Sequence, residues 1–354
     1  MRIVLEPRPA PLPLMRIGAP IIALALTAIA SSILFAALGL NPVKTLRIFF
    51  IDPLSTANGI SEWLLKASPL ILIGLGITIG IRANVWNIGA EGMFTIGAIA
   101  AGWLAITFGG GNHAWLLPAM IVAGALGGIA WAAIPAFLKV KANANEILVT
   151  LMLNYVASLL LSYLVNGPMQ DPEGMNYPQT APFDPSAMFP PLFDGMRING
   201  SIFITAIAVV LAWLFLERSF TGFQMSVGGA APAAARYAGF VQSRSVWIGL
   251  LVSGATAGLA GMMEAAGPLG QLTPVLSPGY GFAAIIVAFV GRLTPIGVVF
   301  GGLLLSLLYL GGEAVQMTLS LPASVTRTFQ GMLLFFLLAA DVLILYRIRI
   351  RSRA

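Results

Sequence analysis

Gly281-Phe-Ala-Ala-Ile-Ile-Val-Ala-Phe-Val-Gly291-Arg292-Leu-Thr-Pro295-Ile-Gly297 decides how this chain folds. Its first apolar piece holds about ten residues, half of the roughly twenty a helix needs to cross a hydrocarbon core. The turn Ser277-Pro278-Gly279-Tyr280 precedes it and Arg292 ends it. Thr294-Pro295 then supplies an N-cap residue and a first-turn proline for a new apolar run toward Gly312. A short, interrupted helix inside a membrane protein exposes backbone groups, and such breaks occur where protein or a solute path covers them.

The rest of the chain supports a bilayer setting. It is 58% hydrophobic and only 9% charged, against about 25% charged residues in soluble domains. Its 39 glycines and 23 prolines suit helices that pack closely and break. With no cysteine and one histidine, His113, thiol chemistry and the usual zinc ligand sets are excluded, so no metal site is expected. No Gly-Lys dipeptide occurs, which removes the usual P-loop route to ATP hydrolysis. The net charge of +6 is dispersed between apolar spans and reads as membrane topology rather than nucleic-acid binding.

Ten apolar segments are expected, near 18–40, 67–82, 91–108, 115–138, 146–166, 199–216, 245–264, 281–291, 295–311 and 325–346. The second and eighth are short. Ser68-Pro69 reads as a helix start like Thr294-Pro295. With a cytoplasmic N-terminus, 14 of the 19 basic residues fall inside and five outside. The positive-inside rule then places both termini in the cytoplasm, the 167–198 loop outside and the 217–245 loop inside. The first span reads as an uncleaved helix rather than a secretory signal, because its apolar run exceeds a signal core. The whole of 1–354 is expected to form one transmembrane domain.

Two polar rows interrupt the apolar helices. Glu146, Thr150, Asn154, Ser158 and Ser162 recur every four residues, as do Asn87, Glu91 and Thr95. Steps of four share a helix face, and a polar stripe facing lipid is costly. Interhelical hydrogen bonding and a solute-path lining are the two readings of these rows. The path reading takes Asn87, Glu91, Thr95, Glu146, Thr150, Asn154 and Ser158 as its residues. In the 217–245 loop, Pro232 suits a helix start and Gly239 its C-terminal cap, so a short surface helix carrying Arg236 and Tyr237 is expected to dock a soluble partner.

This loop resembles the coupling segment of ABC-importer permeases of the branch that carries simple sugars, nucleosides and branched-chain amino acids. Four further stretches are similar to its nucleoside and simple-sugar group: Asn87-Ile-Gly-Ala-Glu91-Gly, Asn145-Glu146-Ile-Leu-Val-Thr-Leu-Met-Leu-Asn154-Tyr155, Ser253-Gly-Ala-Thr-Ala-Gly-Leu-Ala-Gly261 and Gly279 to Pro295. The resemblance covers about residues 60–345 in family order. It implies an all-α, polytopic large-bundle permease fold of about ten helices. The implied partners are a second permease subunit, cytoplasmic ATPase subunits that bind the ATP, and an external solute-binding protein, in a bacterial-type cell membrane. No cofactor of the chain itself is implied. It also assigns ATPase coupling to Gly229, Pro232, Ala234, Ala235, Arg236, Tyr237 and Gly239. The chain departs from the family pattern at Gly229-Ala230-Ala231-Pro232, where alanine replaces the usual Asn, and at Met93, where Gln is usual. The reading from another class is an ion-coupled secondary transporter, for which Glu91 and Glu146 are the candidate acids.

Overall fold

A computed structural model describes residues 2–7, 13–111, 113–322, 324–325, 327–329, 331–332, 335–336, 339 and 346–351. Twelve helices are defined among them: α1 (Pro13–Ala37), α2 (Pro42–Phe50), α3 (Ala57–Arg82), α4 (Ala90–Phe108), α5 (Leu116–Ala142), α6 (Glu146–Val165), α7 (Ser201–Arg218), α8 (Phe220–Ala230), α9 (Pro232–Tyr237), α10 (Gln242–Glu264), α11 (Tyr280–Val290) and α12 (Pro295–Leu319). Among the described residues seven are long and apolar enough to cross a membrane, namely α3–α7, α10 with its π turn Ala265–Leu269, and α12. Ala25–Ala37 and α11 are shorter apolar helices. Of the ten expected spans, the last, at 325–346, lies largely outside the described residues.

Two expectations need correction. α3 begins at Ala57 and runs through Pro69, so Ser68-Pro69 is not a helix start. Membrane helices tolerate such a proline, whose missing N–H frees the carbonyl of Leu65, four residues back. The 217–245 loop holds two helices, α8 and α9, rather than one. α8 is capped by Ser219, whose hydroxyl oxygen accepts from Gly222 N–H at 2.9 Å. Its three glycines argue against a helix by propensity, and tertiary contact overrides them. Beside the helices the described residues hold one pair of short strands, β1 (Arg2–Pro7) and β2 (Tyr346–Arg351), antiparallel with Arg2 opposite Arg351. The Arg347-Ile-Arg-Ile-Arg alternation is a period-two strand pattern.

The chain divides into two compact units, one of residues 1–60 with 307–354, the other of 61–306. In the first, Phe49 of α2 stacks on Phe329 at 4.5 Å between ring centres, and the Phe49 carbonyl lies against Gly311.

The second unit is built around α4, α5 and α10, joined by glycines. Gly97 of α4 lies on Gly258 of α10, Gly258 also meets the Gly124 carbonyl of α5, and Gly128 and Gly254 meet backbone to backbone. Lipid tails offer no hydrophobic drive between helices, so close backbone approach and dispersion hold such crossings. The 166–200 connection packs over one end of this unit. Phe183 N–H donates to the Gly270 carbonyl at 2.7 Å, Phe189 N–H to the Ala266 carbonyl at 3.0 Å, and Ile198 N–H to Ser61 Oγ at 2.7 Å. Asp184 caps the short 185–187 turn, and the Ser186 N–H and hydroxyl beside it hold its carboxyl below the usual range. At the other end lie the α5–α6 turn, where Lys139 and Glu146 pair at 2.7 Å, and the α8–α9 hairpin.

A Cβ at Gly258 meets backbone of α5, whereas a Cβ at Gly228 meets nothing within 4 Å. Gly258→Ala therefore lowers the folding stability of the purified protein by about 1–3 kcal/mol. Gly228→Ala, in an open helical position, leaves it equal or raises it by up to about 1 kcal/mol. Thermal unfolding in detergent reads both, and equal midpoints for the two variants would contradict the glycine crossing.

Candidate functional site

Two stretches of irregular backbone enter the second unit. The first, 83–89, links α3 to α4. Here the chain leaves helix at Asn84 (φ 55°) and runs without regular structure to Ala90. The second, 270–279, follows the π turn and ends at α11. It begins beside residues 180–183 of the long connection, where Thr180 N–H donates to the Leu272 carbonyl at 3.0 Å. Leu272, fully buried, then rests on Gly102 midway along α4. Gly281 finally meets the backbone of Glu91. The extended half 270–279 and the helical half α11 thus replace one regular span, as the short apolar run at 281–291 led us to expect.

Backbone groups in such breaks require partners, because an unsatisfied group away from water costs several kcal/mol. At 83–92 two side chains of α6 and one of the break itself supply them. The Asn154 amide of α6 accepts from Gly92 N–H at 2.8 Å and donates to the Ile88 carbonyl at 3.0 Å. The Thr150 hydroxyl accepts from Ile88 N–H at 3.3 Å and donates to the Glu146 carbonyl at 2.7 Å. Asn87 accepts from Gly89 N–H at 2.9 Å and donates to Ser253 Oγ of α10 at 2.7 Å. Gly89 and Gly92 let this row approach, since a Cβ at either position meets Thr150 or Asn154 within 3 Å.

Glu91 serves the other break. Its carboxylate accepts from Gly281 N–H at 2.6 Å, in the first turn of α11, where a helix carries partial positive charge. Ser277 Oγ accepts from the Gly279 and Tyr280 N–H groups at 3.0 and 2.8 Å. The start of α11 is therefore satisfied by one hydroxyl and one carboxylate.

The predicted path residues separate accordingly. Asn87, Thr150 and Asn154 converge on the 87–92 segment, and Glu91 joins that segment to α11. Glu146 pairs with Lys139 instead. Thr95 and Ser158 donate back to the Glu91 and Asn154 carbonyls of their own helices, and Ser158 is exposed. Ser253, Ser277 and Gly281 were not singled out, although the motifs containing Ser253 and Gly281 were. Among the described residues no three His, Asp or Glu side chains converge as a metal-ligand set.

The other candidate group lies on the hairpin. α9 has Pro232 at its first turn and ends in a Schellman cap, with Gly239 at φ +79°. The Phe240 and Gly239 N–H groups donate to the Ala235 and Arg236 carbonyls at 2.9 and 3.0 Å. The Phe240 ring meets Phe220 and Phe223 of α8 edge-on, closing the hairpin on itself. Ala235 is buried against it, Ala234 and Arg236 are exposed, and Tyr237 is 97% exposed. Gly229 does not face outward: it lies on the Arg82 carbonyl and so seats α8 on the end of α3.

Against known proteins, residues 59–338 match the family described as the permease component of branched-chain amino acid transport systems. The chain is 34% identical to the glucose ABC transporter permease protein TsgB13 of Haloferax volcanii, over 94% of this chain and 90% of the relative. It is 31% identical to the guanosine ABC transporter permease protein NupP of Bacillus subtilis, over 78% and 80%. A second guanosine permease of that organism, NupQ, is 30% identical over 66% and 75%. No solved structure matches the chain.

Asn154→Leu strands the Gly92 N–H and the Ile88 carbonyl together. It is expected to destabilise the protein by about 2–6 kcal/mol, at roughly 1–3 kcal/mol for each of the two unpaired groups. Asn154→Asp, which keeps an acceptor for Gly92 but no donor for Ile88, falls between. Thermal midpoints of the three proteins check the order. A wild-type midpoint in Asn154→Leu, with solute uptake lost, would assign Asn154 to the solute instead.

Proposed function

The chain belongs to the family of branched-chain amino acid transport system permease components, and from that premise we propose that it is the membrane-spanning subunit of an ATP-driven importer carrying a nucleoside or simple sugar inward. Sequence similarity along almost the whole chain to permeases named for glucose and guanosine carries the reading. The chain lacks a Gly-Lys dipeptide and with it the usual P-loop, which supports ATP hydrolysis on separate cytoplasmic ATPase subunits. NupP and NupQ, two permeases named for one solute in one organism, support pairing with a second, similar permease subunit. An external binding protein delivers the solute to the 166–200 side. Both termini and the α8–α9 hairpin face the cytoplasm of a bacterial-type cell, as the basic-residue bias favours.

The solute passes beside the two broken stretches, between this subunit and its permease partner. Asn87, Glu91, Thr150 and Asn154 act there by fixing the shape of the break, with Thr95, Glu146 and Ser158 along the same two helices. ATP closes the ATPase pair, the hairpins move, and the bundle exchanges outward for inward access. Arg236 and Tyr237, exposed on a rigidly capped helix, suit contact with the ATPase. The guanidinium forms fork-like bonds to carboxylates or carbonyls. The secondary-transporter reading is less well supported, since Glu91 and Glu146 both hold partners inside the chain.

Two experiments test this. The chain has no cysteine, so Tyr177→Cys and Tyr237→Cys, at positions 66% and 97% exposed, give clean labels. An impermeant thiol reagent added outside intact cells labels the first alone; labelling of both, or of the second alone, refutes the orientation. Arg236→Glu is expected to weaken ATPase co-purification by about tenfold or more while membrane insertion survives, and to lower ATP-dependent uptake of labelled guanosine or glucose in loaded vesicles. Normal ATP-dependent uptake removes Arg236 from the contact. Uptake driven by a proton or sodium gradient with no ATPase overturns the importer reading.

A further inference from the structure

Arg82, the last residue of α3, was counted above only as a topology charge, yet it touches three elements at once. Its carbonyl lies against Gly229 near the end of α8. Its guanidinium pairs with Glu217 at 3.1 Å, two residues before the Ser219 cap that starts α8. Its Nε–H donates to the Leu293 carbonyl at 2.9 Å. Both ends of the α8 helix are thus referred to one residue, and that residue also holds the turn between α11 and α12.

That turn is unusual in itself. Arg292 and Leu293 are consecutive non-glycine residues at φ +52° and +54°, a conformation that L side chains adopt at a cost and keep only where surroundings enforce it. Gly291 is packed against Gly297 and Val298, so α11 and the start of α12 meet with no side chain between them. At the opposite end of α11, Glu91 holds the Gly281 N–H. The eleven-residue half-helix therefore has a carboxylate at its N-terminal end and a guanidinium on the Leu293 carbonyl, three residues beyond its C-terminal end. Both signs match the helix dipole. The two side chains flank the 83–90 break, so α11 and the α3–α4 junction form one clamped body, and Arg82 is its point of attachment to the hairpin.

We propose that Arg82 is the positioning residue that transmits movement of the α8–α9 hairpin to the half-helix α11, and through it to the Glu91–Gly281 contact at the break. The proposal rests on the importer reading above. A displacement of α8 carries Glu217 and Gly229 with it. The guanidinium then drags the Leu293 carbonyl, and α11, too short to bend, tilts as a rod about its seat on Glu91.

The test is the ratio of solute taken up to ATP hydrolysed, measured per assembled complex in vesicles with labelled guanosine or glucose. A merely structural role changes how much complex forms and leaves this ratio alone. Arg82→Gln cannot reach Leu293 and Glu217 together, and is expected to lower the ratio by about tenfold, within the range by which intermediate residues alter coupling. Glu217→Gln keeps an acceptor for the guanidinium and leaves the Leu293 bond intact, so it lowers the ratio less, by about twofold. An unchanged ratio in Arg82→Gln overturns the proposal. If Arg82→Gln does not assemble, a ratio in Glu217→Gln equal to wild type overturns it. A wild-type complex that takes up neither solute with ATP fails the importer reading instead, and the two failures are thereby kept apart.

Discussion

Every backbone N–H and C=O in a membrane interior needs a partner, because the hydrocarbon supplies none. The second unit of this protein is arranged around that constraint. It leaves regular structure at the α3–α4 connection, 83–89, and at 270–279 before the short α11, and each break is made good by a few polar side chains. Asn154 is the centre of the arrangement. One amide accepts from Gly92 N–H and donates to the Ile88 carbonyl, so it closes across the break much as a missing helical turn would. Thr150, Asn87 and Ser253 complete the set. Removing one member leaves its partners buried and unpaired, so the segment holds a fixed shape rather than frays.

Glycine makes those bonds geometrically possible. Gly89 and Gly92 bring α6 against the break, while Gly97, Gly124, Gly128, Gly254 and Gly258 bring α4, α5 and α10 into backbone contact. Interior packing of this density transmits displacement instead of absorbing it. The hairpin is fastened in the same way, through Gly229 on the Arg82 carbonyl. Its outer surface, with Arg236 and Tyr237, is left exposed. A rigid mount with an exposed polar tip suits a part whose motion is to be passed inward.

Much of this was legible as pattern. The short run at 281–291, ended by Arg292 and restarted by Thr294-Pro295, gave α11 to within one residue and the start of α12, which runs on past the expected 311 to Leu319. Pro232 and Gly239 bounded α9 for local reasons, a fixed φ at one end and a left-handed residue at the other. Ser68-Pro69 carries the same local signal as Thr294-Pro295 and misled. What separates them is context, since Thr294 follows a turn at Arg292 and Leu293, while Ser68 follows eleven helical residues from Ala57. α8 was missed because Gly222, Gly228 and Gly229 lower helix propensity, and two of them are present for packing against Phe215 and Arg82.

Composition and spacing by themselves determined that the chain spans a membrane, where its helices break, which residues form its polar rows and which loop carries the capped hairpin helix. Those features depend on residues near one another in sequence, through hydropathy, helix periodicity and the φ preferences of proline and glycine. Only the tertiary structure decided the partners. A period of four placed Glu146, Thr150 and Asn154 on one stripe, yet they act differently. Glu146 pairs with Lys139, while Thr150 and Asn154 hold a break more than sixty residues away. Arg82 read as a boundary charge and Glu91 as the middle of a short polar row. Their roles at the two ends of α11 arise from contacts across about two hundred residues, and local pattern carries no record of which distant carbonyl or N–H will be brought within reach.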